Sequence, residues 1–298
     1  RDLSIHFFGE SITEPGIEHT NLYLYSQIDY PEHFSWTIGA SVDLFKDDET
    51  VDRDQFNPKF GLTLTPYKGT TLRATVFRTL KRSLASRQTI EPSQVAGFNQ
   101  FFDDTNGTRS WRYGVALDQA FSADIHGGAE FSRRDSDVPQ IDLISGDIVD
   151  ADWKEHVARG YVYWTPHPFW SLSAEYLFER FERQDNFTGE EQVRNLDTHR
   201  FPLGVSFFHP NGLSAHVRLS YIDQQGTFGT DITDLHSDGD RFWLLDASLR
   251  YRLPKRFGFV TLSARNLLDN DFDFQDMDLA NKAIFPERVI LGKLTFSF

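Results

Sequence analysis

The 298-residue chain contains no cysteine and a single methionine. Without cysteine it forms no disulfide, carries no thiol nucleophile and offers no cysteine ligand to zinc. It also lacks any run of eighteen or more apolar residues, which excludes a membrane-spanning helix. Positive charge is scarce: 30 Lys and Arg stand against 44 Asp and Glu, a formal net charge of −14. No nucleic-acid partner is expected for so acidic a chain. The motifs GxSxG and HExxH, the P-loop and the dinucleotide fingerprint are all missing, so neither enzymatic activity nor a cofactor is expected. Residues 1–20 lack the pattern of a secretory signal peptide, since Arg1 is followed at once by strand-like alternation. An export signal is therefore expected to have been removed or to lie outside these residues.

What the chain does have is aromatic side chains, 28 Phe, 10 Tyr and 6 Trp, in a strict two-residue rhythm. In the last twelve residues, Ile290, Gly292, Leu294, Phe296 and Phe298 share one face, and Lys293, Thr295 and Ser297 share the other. A period of two is a strand with one oily and one wet side. The same pattern recurs with Trp36, Ile38, Ala40, Val42 and Leu44, with Leu72, Ala74 and Val76, and with Trp111, Tyr113, Val115 and Leu117. It returns in Leu172, Ala174, Tyr176 and Phe178, in Leu213 through Tyr221, and in Trp243 through Tyr251. The mean hydropathy of −0.45 would alone suggest a water-soluble protein. A barrel with a polar interior, however, needs apolar residues only at every second position.

About fourteen such segments are predicted, near 2–10, 18–30, 33–46, 55–65, 70–81, 107–121, 124–134, 153–165, 169–183, 192–208, 212–225, 240–253, 257–269 and 287–298. No linker divides them, so residues 1–298 are expected to form one domain. The predicted fold is all-β: an antiparallel transmembrane β-barrel of about fourteen strands, of outer-membrane type. Short turns at Pro31, Pro66 with Gly69, Pro166 with Pro168, Pro210-Asn211-Gly212 and Pro254 with Gly258 alternate with longer loops near 47–54, 82–106, 135–152, 226–240 and 270–286. Aromatics crowd the short-turn end, among them Tyr30, Trp36, Tyr67, Phe121, Trp164, Trp170, Phe207, Phe257 and Phe296. A soluble sandwich would explain the alternation but neither the loop asymmetry nor the aromatic rim. Both termini are expected on the periplasmic side, with outer-membrane lipid and lipopolysaccharide as surroundings.

Charge is partitioned. The stretches 47–54, 135–155, 226–240 and 269–287 hold half of the acids but only a tenth of the Lys and Arg. Alternation turns Arg73, Arg112, Arg218, Arg250, Arg252 and Arg265 inward, together with Asp118, Glu175, Glu179 and Asp246. Two readings fit: a salt-bridged wall, or a path on which guanidinium groups grip carboxylates or phosphates. Loop 82–106 carries Phe98, Phe101 and Phe102 and is too long for a simple turn. It is expected either to fold into the lumen as a constriction or to pack on itself outside. His209 and His216 are the nearest approach to a metal pair, and Asp269, Asp271 and Asp273 have calcium-loop spacing. Phe274 stands where such a loop needs glycine, so no metal is expected.

Two stretches carry a family resemblance. Ser263–Asp271 (SARNLLDND), followed by Pro286, Arg288 and the terminal Phe, resembles the last two strands of TonB-dependent receptors. There an Asn-Leu-x-Asp turn closes the penultimate strand, a structural role the resemblance gives to Asn266, Leu267 and Asp269. Asn57-Pro58-Lys59-Phe60-Gly61 with Leu72-Arg73-Ala74 is similar to an earlier strand pair of such receptors. That family has a barrel of about 22 strands, an N-terminal plug and a TonB box; fourteen strands and neither of the other two are read here. The chain also looks like the barrel that ends some outer-membrane proteins with periplasmic tetratricopeptide repeats, a group tied to polymer export. The resemblance implies passage or binding of a solute or polymer, with an upstream plug or repeat domain as partner. The alternatives are a polysaccharide-export barrel, a structural anchor and a membrane-embedded hydrolase.

Overall fold

The computed structural model describes residues 3–14, 17–47, 51–81, 91–101, 104–141, 146–183, 188–231, 233–275, 284 and 287–296. The alternating segments become β1 (Leu3–Glu14), β2 (Ile17–Ile28), β3 (Phe34–Asp47), β4 (Arg53–Tyr67) and β5 (Thr70–Leu80). Two short strands follow, β6 (Gln94–Val95) and β7 (Phe98–Asn99), then β8 (Arg109–Ala120), β9 (Ile125–Ile141), β10 (Ile148–His167) and β11 (Trp170–Arg183). The chain continues through β12 (Thr188–Phe208), β13 (Leu213–Asp231), β14 (Leu235–Arg252), β15 (Gly258–Arg265) and β16 (Val289–Phe296). All but β6 and β7 join one 14-stranded antiparallel sheet in which every strand pairs with its neighbours in sequence. β1 and β16 are its two ends, and no register between them is found among the described residues. The sheet is strongly curved: Arg53 of β4 bonds Asp150 of β10, with β5, β8 and β9 lying between them.

The outer face is oily because alternation makes it so. Val115, Phe131, Val162, Leu203, Val217 and Leu249 all stand exposed on it. Register aligns Tyr176, Phe201, Tyr221 and Trp243 on four adjacent strands, with ring centroids 4.7, 6.2 and 5.0 Å apart in turn. Immediately toward the long-loop end, the same face turns ionic. Arg180 bonds Asp197, Arg133 bonds Asp135 and Arg241 bonds Asp223. The opposite rim carries Tyr30, Tyr67, Phe121, Trp164, Trp170 and Phe257, all exposed, with the Trp36 indole N–H donating to the Tyr30 carbonyl. On β14, Trp243 and Tyr251 lie eight residues apart, about 27 Å along a strand rising roughly 3.4 Å per residue. At the roughly 40° tilt usual for such barrels this is about 20 Å of depth, in keeping with the apolar band of outer-membrane strands.

The short turns are built as the sequence implies. At Pro210-Asn211-Gly212, Gly212 adopts φ +94° and its N–H donates to the His209 carbonyl, while the Asn211 side chain accepts from Leu213 N–H. A Cβ there would stand 3.0 Å from Arg252 and would strain the backbone.

Two expected loops are instead strand. β9 and β10 run to Ile141 and from Ile148, and β13 and β14 run to Asp231 and from Leu235, inside the stretches 135–152 and 226–240 predicted as loops. Hydrogen-bonded ladders continue past the apolar band, where both faces meet water and the alternation that betrays a strand disappears. At the other end of the chain, the segment expected to run to 269 stops at Arg265. Asn266 and Asp269 take φ +47° and +57°, a conformation that Asn and Asp tolerate, and turn the chain inward.

Candidate binding lumen

The inner face is polar and largely self-paired. On β8 to β10, Arg73 of β5 donates to Asp118 at 3.0 Å and lies 3.5 Å from Glu130, and the Tyr161 hydroxyl also donates to Asp118. Arg159 and the Tyr163 hydroxyl grip Glu175 at 2.9 and 2.8 Å, and Arg200 pairs with Glu179. Closer to the long-loop end, Arg134 is almost wholly enclosed and bidentate to both Asp104 (2.5 and 3.0 Å) and Glu155 (2.5 and 3.1 Å). Elsewhere on the wall, across β2 to β4, the Asp43 carboxylate accepts from Asn21, Asn57 and Ser41 and contacts His19 Nε2 at 2.9 Å.

Against this wall lies segment 91–101. Phe98 is fully buried with Phe77, Val95 and Ala116, and its ring sits 5.4 Å from the Arg73 guanidinium and 6.0 Å from that of Arg112. Two glycines make the room: Gly114 lies under the Phe98 ring and Gly61 under Val95. Polar contacts fix the segment on both sides. Glu91 accepts from the Tyr25 hydroxyl at 2.7 Å and lies 3.5 Å from Lys59, while Gln100 also bonds Tyr25. Arg112 and Arg73 donate to the carbonyls of Asn99 and Ala96. Of the aromatics expected in this loop, Phe98 is the one that docks, Phe101 is half-buried, and Phe102 lies outside the described residues.

A second inward segment follows the Asn266 turn. Asn266 N–H donates to Asp246, and its side chain bonds Asn270 through both N–H and carbonyl. Phe272 then stacks on Phe242 with centroids 4.0 Å apart, and Gln275 and Gln224 bond each other twice. Asp269 pairs with Arg288, and Asp273 N–H donates to Asp240. His216 bonds its cross-strand partner Ser206, whereas His209 accepts from Asn211 N–H in the turn between β12 and β13, so the two do not form a pair.

The expected inward residues are all on the inner face, but they fall into different settings. Arg73, Asp118, Glu175 and Glu179 belong to the ion-paired ladder, and Arg112 donates to Ser132 and Asn99. Arg218 is registered opposite Asp246 and is exposed to the lumen. Arg250 packs its guanidinium 3.6 Å from the Phe259 ring centroid, Arg252 sits at the short-turn rim, and Arg265 ends β15 opposite Val289. Arg134, Arg159, Arg200, Glu130, Glu155, Lys59 and Glu91 were not anticipated. Alternation on 153–165 and 192–208 would have turned Arg159 and Arg200 inward, but the Arg133-Arg134 doublet puts one arginine on each face and hides which is enclosed.

No protein-family model and no curated protein sequence matches the chain. Solved structures do. The ferric-catecholate import receptor Fiu from E. coli K12 matches at TM-score 0.56 and 14% identity, covering 86% of this chain and 41% of the receptor. The FrpB iron transporter from Neisseria meningitidis matches at TM-score 0.62 and 13% identity, covering 84% and 41%. The ferripyoverdine receptor of the outer membrane of Pseudomonas aeruginosa matches at 0.57 and 10%, covering 85% and 35%. The chain thus spans about two-fifths or less of the length of these receptors. A likeness at such low identity shows the fold alone: an antiparallel β-barrel of outer-membrane type, with strands arranged as in these receptors.

Proposed function

We propose that this barrel binds or passes a solute or polymer across the bacterial outer membrane, with segment 91–101 as the constriction inside it. The carrying observation is that this segment is seated on the inner wall by Phe98, Glu91 and Gln100, above a ladder of lumenal ion pairs. Water and a hydrophilic ligand are the natural occupants of such a surface, because unpaired polar groups facing hydrocarbon are costly. In this reading both chain ends face the periplasm, lipid and lipopolysaccharide surround the outer face, and the barrel catalyses nothing. Purified protein inserted in planar bilayers is expected to carry ionic current. A sealed, silent barrel contradicts passage and favours a structural anchor.

A second reading rests on the partial coverage of the similar receptors. The chain shares its strand arrangement with receptors of which it spans about two-fifths, and this fits part of a longer barrel. A plug encoded upstream supports uptake, and tetratricopeptide repeats support export.

A further inference from the structure

The lumenal cations divide into two populations. From β4 to β12 the inward arginines Arg53, Arg73, Arg134, Arg159 and Arg200 each meet a carboxylate, and Arg112 is held by Ser132 and the Asn99 carbonyl. Near the short-turn end of β14 to β16, Arg250 and Lys293 meet none among the described residues, although both are exposed to the lumen. Register places them together: Arg250 pairs with Thr261 across β14 and β15, and Thr261 pairs with Lys293 across β15 and β16. Two cations thus flank one hydroxyl on adjacent strands. They line a recess of about 610 Å³ whose other walls include Ser206, Ser214, Ser248 and Thr295. The Phe259 ring, 3.6 Å from the Arg250 guanidinium carbon, holds that group in place without neutralising it.

We propose that this recess is a binding site for an oxyanion, the phosphate or carboxylate group of a solute entering from the short-turn end. Two cations with no carboxylate partner among the described residues, one of them a pre-positioned planar fork, supply charge-assisted hydrogen bonds. The ring of hydroxyls supplies neutral donors that suit a ligand rich in oxygen. The acidic long-loop rim opposes entry of the same ligand from the other mouth, which favours approach from the base. The site deepens the passage reading by naming a ligand class, yet it stands or falls by binding rather than by current.

The test is calorimetric titration of the detergent-solubilised full chain at low salt with tripolyphosphate and, separately, citrate. The two probes distinguish a phosphate from a carboxylate ligand. Binding of at least one is expected. Arg250→Gln combined with Lys293→Gln should weaken it by about tenfold or more, the worth of one charge-assisted bond. Arg250→Lys, which keeps the charge but loses the fork, should weaken binding less than the double variant, and Arg180→Gln, on the outer face, should leave it unchanged. Absence of binding by both probes, or an equal loss in Arg180→Gln, overturns the site. Heat-modifiable migration on gels confirms that each variant is folded. A barrel that binds but carries no current keeps the site and overturns passage; one that conducts without binding does the reverse.

Discussion

Gly114→Val is expected to unseat the internal segment and raise the unit conductance of the barrel several-fold. A Cβ at this position would stand 2.4 Å from the Cε1 atom of Phe98, with two further ring atoms within 2.8 Å. The ring has nowhere to slide, because Phe77, Val95 and Ala116 already enclose it. Expelling it forfeits about 1.5–3 kcal/mol of apolar burial and leaves the segment held by Val95, the Glu91–Lys59 pair and a few hydrogen bonds. Gly61→Val acts on the same segment from the other side, since its Cβ would come within 2.8 Å of Val95. Gly160→Ala is the control: nothing lies within 4 Å of its Cβ, and conductance should not change. Single-channel recording separates these outcomes, and an unaltered conductance in Gly114→Val would remove segment 91–101 from the conduction path.

Arg134→Leu is expected to destabilise the barrel by about 3–5 kcal/mol, the cost of stranding enclosed charges without their partner. The Arg134 side chain is only 7% exposed, and Asp104 and Glu155 are 13% and 30% exposed, so water recovers little of the lost interaction. Adding Asp104→Asn and Glu155→Gln to Arg134→Leu should restore most of the stability by removing the stranded charges. Arg180→Gln breaks an exposed pair with Asp197 and should cost less than about 1 kcal/mol. Urea titration of refolding into liposomes, followed by tryptophan fluorescence, reads all of these. A loss below 1 kcal/mol in Arg134→Leu would show that water reaches this cluster freely.

Much of the wall was legible because a period of two is local. Once Trp243, Leu245, Ala247 and Leu249 face lipid, Asp246 and Arg250 must face inward, and no knowledge of the partner strand is needed. The partners were not legible. That Arg73 meets Asp118 on β8 while Arg250 meets no acid among the described residues depends on register and on which strands lie side by side. The strand extensions beyond Arg134 and Gln225 were hidden for another reason: outside the membrane both faces are polar, and the ladder leaves no trace in hydropathy. The docking of segment 91–101 was written at Gly61 and Gly114, which in sequence resemble ordinary strand glycines; their meaning appears only when Val95 and Phe98 are seen above them. The Asn266 turn was legible from Asn-Leu-x-Asp, though not that the following Phe272 would stack on Phe242 inside the wall.

The absence of native cysteine permits a direct test of which side of the sheet meets hydrocarbon. Single cysteines placed from 215 to 221 on β13, spin-labelled and reconstituted in liposomes, report collision with oxygen, which concentrates in lipid, and with a polar nickel chelate. Oxygen contact is expected to peak at 215, 217, 219 and 221 and chelate contact at 216, 218 and 220. Uniform access of the chelate along the strand, or oxygen maxima at the even positions, would contradict an oily exterior wrapped around a wet interior.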